Sequence, residues 1–331
     1  MNFLILHIAS FVFAFIFTFY LIKIVTKIAY KYSIMDFPDG KIKKHDGGVP
    51  YLGGIAIFVS FICTLGLFYP FKNSILWLVI GCILILFVGF FDDLINFSPL
   101  QKLIGQVVAV ICFLRGGLSL KEAFFSDFWS LAISGFWMLL IINAFNLVDV
   151  MDGLSTSLAI IAATSFFVIA ILMKQYLLSL LLITFIAPLL VFFIYNKPSA
   201  KIYMGDCGSL FLGGFLAAVP LLFCWSSKNE FGFFVPILIL IVPLSEVTML
   251  ILIRTFLGIP FYRGSPHHIA SFLLAKKLSK YKILLMTSVF AIYYSIFAIL
   301  FLFNFVSIVS LFYALIAFWF LWVSYVYLQK K

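Results

Sequence analysis

Three segments of the sequence place carboxylates or amides where apolar runs end, and a fourth carries an arginine and two histidines. The first segment holds an adjacent acidic pair. Asp92 and Asp93 follow two phenylalanines, and Lys102 comes shortly after them. Adjacent carboxylates repel each other, so a bound cation or a nearby lysine is needed to keep both ionised. The simpler interpretation is a solvated loop in which Ser98 caps the next helix and Pro99 occupies its first position. Both interpretations can hold together, and we predict a functional role for the pair.

The second segment carries four polar side chains spaced three residues apart, namely Asn143, Asn146, Asp149 and Asp152. If the segment stays helical, these groups project on roughly one face and drift slowly around it. The alternative is a turn in which two of them act as caps, and Gly153 favours such a break. Four carboxamide and carboxylate groups exceed what capping requires, so we predict a functional face.

The third segment runs from Asn196 to Asp206, which Gly205 precedes and Gly208 follows closely. Glycines let the backbone approach a phosphate, and the start of the next helix offers free N–H groups. Asp206 is therefore predicted to hold a metal ion on a phosphate; its alternative role is to cap that helix.

The fourth segment is the long polar loop that contains Arg263 and His268. An arginine beside histidines suits a phosphate, although solvated loop residues would give the same pattern.

Composition excludes a soluble protein. The 331 residues are 65% hydrophobic and 10% charged, whereas a soluble domain carries about 25% charged residues. Apolar runs of about 20 residues match the thickness of a bilayer when they are helical. We therefore predict an all-α, polytopic membrane protein that forms one domain over residues 1–331. Its eleven predicted spans are 3–22, 51–70, 74–91, 101–114, 128–147, 155–173, 176–195, 208–225, 232–253, 283–303 and 305–328.

The distribution of basic residues predicts the orientation. With the N-terminus outside, 17 of the 22 Lys and Arg residues fall on one side of the membrane, which the positive-inside rule makes cytoplasmic. The C-terminus is then cytoplasmic too. Eight of the twelve acidic residues lie on the same side, although acids have no topological reason to gather there. A bound divalent cation would offset the cost of placing carboxylates beside hydrocarbon.

Taken together, these motifs resemble a known family. The sequences FDD…SPxxK, NAFNLVDVMDGL and AKIYMGDCGSL, followed by the late histidine loop, are similar to the polyprenyl-phosphate N-acetylhexosamine-1-phosphate transferases of the MraY and WecA type. The early loop from Asp36 through His45 fits as well, so the resemblance covers about residues 36–280. The sequence looks closer to the WecA branch. It departs from the usual pattern at Val150, Glu246 and Ser271.

The resemblance implies transfer of an N-acetylhexosamine-1-phosphate, most simply GlcNAc-1-phosphate, from a UDP-sugar to undecaprenyl phosphate, with release of UMP. This would be the first membrane step of cell-envelope polysaccharide synthesis, on the cytoplasmic face of the cytoplasmic membrane. The alternatives are a phospho-N-acetylmuramoyl-pentapeptide transferase or, in another class, a transporter. Direct attack by the lipid phosphate and a covalent aspartyl-phosphate route both stay open.

The implied site residues fall into three groups. The catalytic residues are Asp92, Asp93, Asp149 and His268. The substrate-binding residues are His45, Lys102, Asn143, Asp152, Asn196 and Arg263. The ligands of a Mg²⁺ ion, or Mn²⁺ in its place, are Asp206 and Asn146. The expected partners are the UDP-sugar, the lipid phosphate and the membrane, without nucleic acid, and a homodimer is compatible with the sequence.

Overall fold

The computed structural model describes residues 3–36, 48–71, 73–121, 125–260 and 268–328, with side chains up to Trp319. Nearly all of this part is helical. In chain order the helices are α1 Phe3–Lys31, α2 Gly53–Phe68, α3 Asn73–Ile95, α4 Pro99–Arg115, α5 Asp127–Val148, α6 Leu154–Leu172, α7 Tyr176–Asn196, α8 Gly205–Ala218, α9 Val235–Ile239, α10 Ile241–Phe256, α11 Ile269–Ala275, α12 Lys280–Leu302 and α13 Ile308–Leu328.

Each of the eleven predicted apolar segments lies on a helical element, which confirms the all-α class. Helix α1 differs in length, because it continues past the predicted end at residue 22 to Lys31. Val25 and Ala29 in this extension are buried. Packing therefore carries the helix beyond the residues that are apolar enough for hydrocarbon.

Seven helices in the described part of the chain are long and apolar enough to cross a membrane, or eight if α9 and α10 count as one bent span. The chain is therefore a polytopic membrane protein. Helices α2 and α13 are apolar but shorter over their described residues. The count of eleven spans and the outside position of the N-terminus stay predictions.

The ninth predicted span is broken, so the prediction of one continuous helix was wrong there. Helix α9 ends at Ile239 and α10 begins at Ile241, with a bend of 72° between the two segments. Pro243 has no N–H to donate to the carbonyl of Ile239, and its ring crowds that carbonyl. On the other side of the bend, the N–H of Leu240 still donates to the carbonyl of Pro236 (3.0 Å). A proline four residues after a carbonyl is a common cause of such kinks.

Helix α8 is the centre of the bundle, and every residue from Cys207 to Ala218 is buried. Small residues let its neighbours approach closely. A Cβ on Gly54 of α2 would lie 2.3 Å from the Cα of Gly208, and one on Gly89 of α3 would lie 2.4 Å from the carbonyl oxygen of Asp206. Larger side chains at these positions would push α8 and its first turn away from α2 and α3.

A short hairpin precedes α2, in a segment expected to be loop. Strand β1 (Met35–Asp36) pairs antiparallel with β2 (Val49–Pro50). The N–H of Tyr203 donates to the carbonyl of Pro50 (2.7 Å), and the carbonyl of Tyr203 accepts the N–H of Gly53 (3.0 Å). The backbone that leads into α2 thereby holds the backbone that leads into α8.

Candidate active site at the helix ends

One ammonium group joins four helices at one end of the bundle. Lys102 Nζ of α4 lies 2.8 Å from Asp92 Oδ2 of α3 and 3.2 Å from Asn146 Oδ1 of α5. It also forms an ion pair with Asp206 of α8. The ends involved are the C-termini of α3 and α5 and the N-termini of α4 and α8, so these helices alternate in direction. The structure thus brings four of the predicted site residues together, and their roles stay predictions.

The start of α4 is held by the cap that the sequence predicted. Ser98 and Gln101 form a reciprocal capping box, in which the N–H of Ser98 donates to Gln101 Oε1 (2.8 Å) and Ser98 Oγ accepts from the N–H of Gln101 (3.4 Å). Pro99 occupies the first turn. Asp92 Oδ1 accepts the N–H of Phe97 (2.8 Å). Asp92 thus ties the connecting loop to α3 and also contacts the lysine that the loop positions.

Asp93 has a different task, because its carboxylate caps α8. Oδ1 accepts the N–H of Asp206 (2.9 Å) and Oδ2 accepts that of Cys207 (3.1 Å). Gly205 has φ of +75°, and a Cβ there would lie 2.7 Å from Asp93 Oδ2, so glycine is required for the approach. The alternative in which Asp206 caps its own helix is wrong. Asp206 lies inside the first turn, and its side chain contacts the lysine cluster instead.

Asn146 completes the cluster with both ends of its amide. Its Oδ1 accepts from Lys102, while Nδ2 donates to Asp206 Oδ1 (3.0 Å) and to Ser209 Oγ (3.0 Å). Asn143, one turn earlier on α5, pairs instead with Gln106 of α4, at 2.7 Å and 3.2 Å for the two amide bonds. This amide pair forms a layer beside the cluster, and substrate contact by Asn143 stays a prediction.

The predicted helical face of four polar groups was wrong in its second half. Helix α5 ends at Val148, Asp149 follows in a non-helical conformation, and Gly153 has φ of +76° before α6 begins. The chain turns here because Gly153 accepts a left-handed conformation that other residues rarely adopt. Asp149 and Asp152 therefore leave the face that Asn143 and Asn146 share.

Asp149 is half-buried, and none of the described residues donates a hydrogen bond to its carboxylate. Burial, together with the negative charges of Asp206, Asp93 and Asp152, raises the pKa of Asp149 to about 8. A carboxyl group in this environment favours a cation or a donor group near it. Asp149 is thus the site residue whose charge the described protein compensates least.

Asp152 and Asn196 contact the protein around the turn rather than the lysine cluster. Asp152 Oδ2 accepts from Lys280 Nζ of α12 (2.7 Å) and from the N–H of Ser199 (3.2 Å). Asn196, which is buried, accepts from the N–H of Gly153 (3.1 Å) and donates to the carbonyl of Ile202 (3.0 Å). These contacts fix the loops on either side of α6 and α7. Substrate contacts by both residues stay predictions.

His268 immediately precedes α11 and pairs with a buried acid. Its Nδ1 lies 3.0 Å from Glu246 Oε1 of α10, and the same oxygen accepts the N–H of Ile269 (3.2 Å). The side chain of His268 is 13% exposed and that of Glu246 is 4% exposed. The two other predicted site residues, His45 and Arg263, lie outside the described residues.

Sequence reasoning missed four partners of the predicted residues, namely Gln106, Ser209, Glu246 and Lys280. Gln106 lies four residues after Lys102 and so shares its helix face, and Ser209 stands three residues after Asp206. Glu246 was visible as an acid inside an apolar run, a position that usually has a functional or pairing reason. No spacing signal distinguishes Lys280 from the other lysines around it.

The cluster offers oxygen atoms of the kind that Mg²⁺ prefers. Oxygens of Asp92, Asp206 and Asn146 converge on a single cationic group, the ammonium of Lys102. Within the described residues, no group of three or more His, Cys, Asp and Glu side chains is arranged to hold a metal ion. The donor set fits Mg²⁺ in its chemistry, and Lys102 must release at least one of these oxygens for an ion to bind.

Fold and site together define a polytopic membrane protein whose charged centre is built from helix ends. The sequence model of glycosyl transferase family 4 matches residues 75–224, which include the whole lysine cluster. A probable undecaprenyl-phosphate N-acetylglucosaminyl 1-phosphate transferase of Bacillus subtilis is 32% identical over 267 residues, 77% of this chain and 74% of the relative. The chain belongs to glycosyl transferase family 4.

Relatives of a second kind match as well. A phospho-N-acetylmuramoyl-pentapeptide-transferase of Streptococcus pneumoniae is 34% identical over 206 residues, 54% of this chain and 62% of that protein, which is less than two thirds of its length. One from Enterococcus faecalis is 31% identical over 240 residues, 61% of this chain and 74% of the relative. The resemblance inferred from the motifs is therefore confirmed for both branches.

Proposed function

We propose that this chain transfers GlcNAc-1-phosphate from UDP-GlcNAc to undecaprenyl phosphate and releases UMP. The observation that carries the proposal is the cluster in which Lys102 meets Asp92, Asn146 and Asp206 at one end of the bundle. A lysine held among carboxylates and beside a helix N-terminus can engage phosphate oxygens once a substrate competes for it. The similarity to the Bacillus subtilis transferase supports the choice of sugar and lipid.

In the proposed reaction, an oxygen of the lipid phosphate attacks the β-phosphorus of the UDP-sugar. The bond from that phosphorus to the oxygen bridging it to the α-phosphorus breaks, and UMP leaves with the bridging oxygen. Lys102 and His268 would neutralise the charge on the phosphates, and Asp92 would orient the lipid phosphate or accept its proton. Positioning and charge neutralisation supply most of the barrier lowering in such transfers.

A bound Mg²⁺ or Mn²⁺ would add neutralisation of the pyrophosphate charge. Asp206 and Asn146 are the residues that we assign to it, because both already direct oxygens toward a cation in the cluster. Asp93 would keep the first turn of α8 in place while Asp206 exchanges partners, since its contacts are to backbone N–H groups.

The same proposal places the chain in the cytoplasmic membrane with its active site on the cytoplasmic face, at the first membrane step of cell-envelope polysaccharide synthesis. The support is the 17-to-5 division of basic residues, whose richer side includes the segments that meet in the cluster. A site at helix ends suits a lipid phosphate that arrives through the bilayer. The homodimer stays a prediction, which the mass of the purified protein in detergent checks.

The competing candidate is transfer of phospho-N-acetylmuramoyl-pentapeptide, favoured by the streptococcal and enterococcal relatives. The test is UMP release by the purified chain from UDP-GlcNAc or UDP-N-acetylmuramoyl-pentapeptide, each with and without undecaprenyl phosphate. We expect lipid-dependent release from UDP-GlcNAc alone. Release from the pentapeptide substrate alone would favour the competing candidate. If neither UDP-sugar gives lipid-dependent UMP release, the proposed reaction class is contradicted, and the alternative of a transporter is favoured.

A further inference from the structure

Glu246 is a carboxylate in the mostly apolar helix α10, and it is 3% exposed. Burying an ionised carboxylate costs several kcal/mol unless partners offset the loss of water. One oxygen makes both contacts that offset this cost, because Oε1 lies 3.0 Å from His268 Nδ1 and accepts the N–H of Ile269 (3.2 Å). Arg254, two turns along α10, adds an attractive charge interaction with Glu246.

This contact decides which ring nitrogen of His268 is available. An ionised carboxylate only accepts hydrogen bonds, so Nδ1 of His268 must carry the proton. In the neutral ring, Nε2 is then the acceptor, and it is the nitrogen that faces away from Glu246. His268 is held in an extended conformation before α11 (φ −66°, ψ 142°), so its backbone is outside the helix.

The pair lies against the part of the chain that carries Asp149. Glu246 and Ile269 line a small apolar cavity together with Val148 and Leu154, which are the last residue of α5 and the first residue of α6. The turn between those two residues contains Asp149 and Asp152. The ring of His268 is therefore fixed by a residue packed beside the acidic turn, although the family match ends at residue 224.

We propose that Glu246 is a positioning residue, which holds His268 in one ring orientation and one tautomer so that Nε2 is the nitrogen presented to the reacting phosphates. The inference rests on the proposed function for its kinetic consequence. Its structural part, the tautomer of His268, does not depend on that function. The same logic, a carboxylate that orients an imidazole, operates in hydrolase triads.

The first test measures steady-state kinetics of the purified full chain with UDP-GlcNAc and undecaprenyl phosphate. Glu246→Gln keeps an oxygen that can accept both hydrogen bonds but removes the charge, and Glu246→Leu removes the acceptor. We expect Glu246→Gln to lower kcat by about 10- to 10³-fold, with KM for UDP-GlcNAc changed by less than about threefold. Thr248→Val, at an exposed position of the same helix, is the matched control and should keep the wild-type rate.

A double-mutant cycle separates positioning from general damage to the fold. If Glu246 acts through His268, Glu246→Gln should cause no further loss on a His268→Ala background. Independent, multiplicative losses would overturn the inference, as would a wild-type rate for Glu246→Gln. The melting temperature of each variant is measured in parallel, and a loss of rate that only follows loss of folded protein would also overturn it.

The second test needs no activity and therefore separates this inference from the proposed function. The protein has four histidines, so ¹⁵N-histidine labelling gives few ring signals, and those of His268 are assigned with His268→Gln. We expect wild-type His268 to carry its proton on Nδ1 in the neutral ring, to keep this preference in Glu246→Gln, and to lose it in Glu246→Leu, which has no acceptor. A neutral ring protonated on Nε2 in the wild type would refute the positioning role even if UMP is released.

Discussion

The carboxylate of Asp93 accepts the backbone N–H of Asp206, with 2.9 Å between Oδ1 and the nitrogen. A residue near the end of α3 thus fixes the first turn of the buried helix α8, while its neighbour Asp92 contacts Lys102. The two members of an acidic pair consequently have different structural tasks. This difference makes their substitution effects distinguishable.

For the acidic pair, we expect both Asp92→Asn and Asp93→Asn to lower the rate, by about 10² to 10⁴ for a residue that accepts a proton. Asp92→Asn should recover part of its activity as pH rises, because the lipid phosphate, with a second pKa of about 6, ionises without help. Asp93→Asn should not recover, since its amide offers one acceptor to two N–H groups. UMP release between pH 5.5 and 8.5 measures this.

The same experiment tests the role of a general base. If neither variant recovers at high pH, the pair has only an electrostatic or positioning role. A phosphorylated aspartate trapped in the absence of lipid would favour the two-step covalent route over direct attack.

Lys102→Met should destabilise the protein and abolish its activity. The substitution leaves Asp92 and Asp206 side by side without the ammonium that joins them, which costs about 1 to 3 kcal/mol. The loss of stability should lie toward the lower end of this range, because the Asp206 side chain is 35% exposed and water screens its charge. Adding Asp92→Asn should restore part of the melting temperature but no activity. Exposed Lys201→Met is the control, and an unchanged melting temperature for Lys102→Met would contradict the pairing.

Asp149 should make stability depend on pH. Its folded-state pKa of about 8 exceeds the ordinary value of 3.8, so the unfolded chain loses this proton at lower pH than the folded chain does. The contribution of protonated Asp149 to the free energy of unfolding is therefore fully present below about pH 4 and is lost as pH rises through about 8. Without divalent ions, the melting temperature of wild type should fall more steeply from pH 5 to 8.5 than that of Asp149→Asn. Equal slopes for both proteins would rule out the raised pKa.

Asp206→Asn should abolish activity while the protein stays folded and inserted, because the charge that would bind the cation is removed and the backbone contacts to Asp93 are kept. Turnover is measured in saturating Mg²⁺. Asp127→Asn, at the opposite end of α5, is the control and should keep the wild-type rate. Near-wild-type turnover of Asp206→Asn would falsify its assignment as the metal ligand.

A reporter fused after Lys331 should be cytoplasmic, and one fused after Lys121 should be external. The reason is that 17 of the 22 Lys and Arg residues fall on the side predicted to be cytoplasmic. An odd number of spans then places the C-terminus on the opposite side of the membrane from the N-terminus. Green fluorescent protein and alkaline phosphatase fusions report the two sides. An active phosphatase after Lys331 would overturn both the orientation and the span count.

Much of the fold followed from local patterns. Apolar runs predicted where helices lie, since a backbone in hydrocarbon must satisfy its own hydrogen bonds. The start of α4 followed from Ser98 and Pro99, because capping depends on neighbours in the chain. The meeting of Asp92, Lys102, Asn146 and Asp206 also followed, since alternating helices return their polar ends to the same side.

What the sequence determined by itself is thus the helical class, the membrane setting and the end of the bundle where charge gathers, because each depends on residues close in the chain. Only the tertiary structure decided which polar atoms pair. Asp152 meets Lys280 across 128 positions and His268 meets Glu246 across 22. Partners of this kind depend on how helices are placed against one another, which no local spacing encodes.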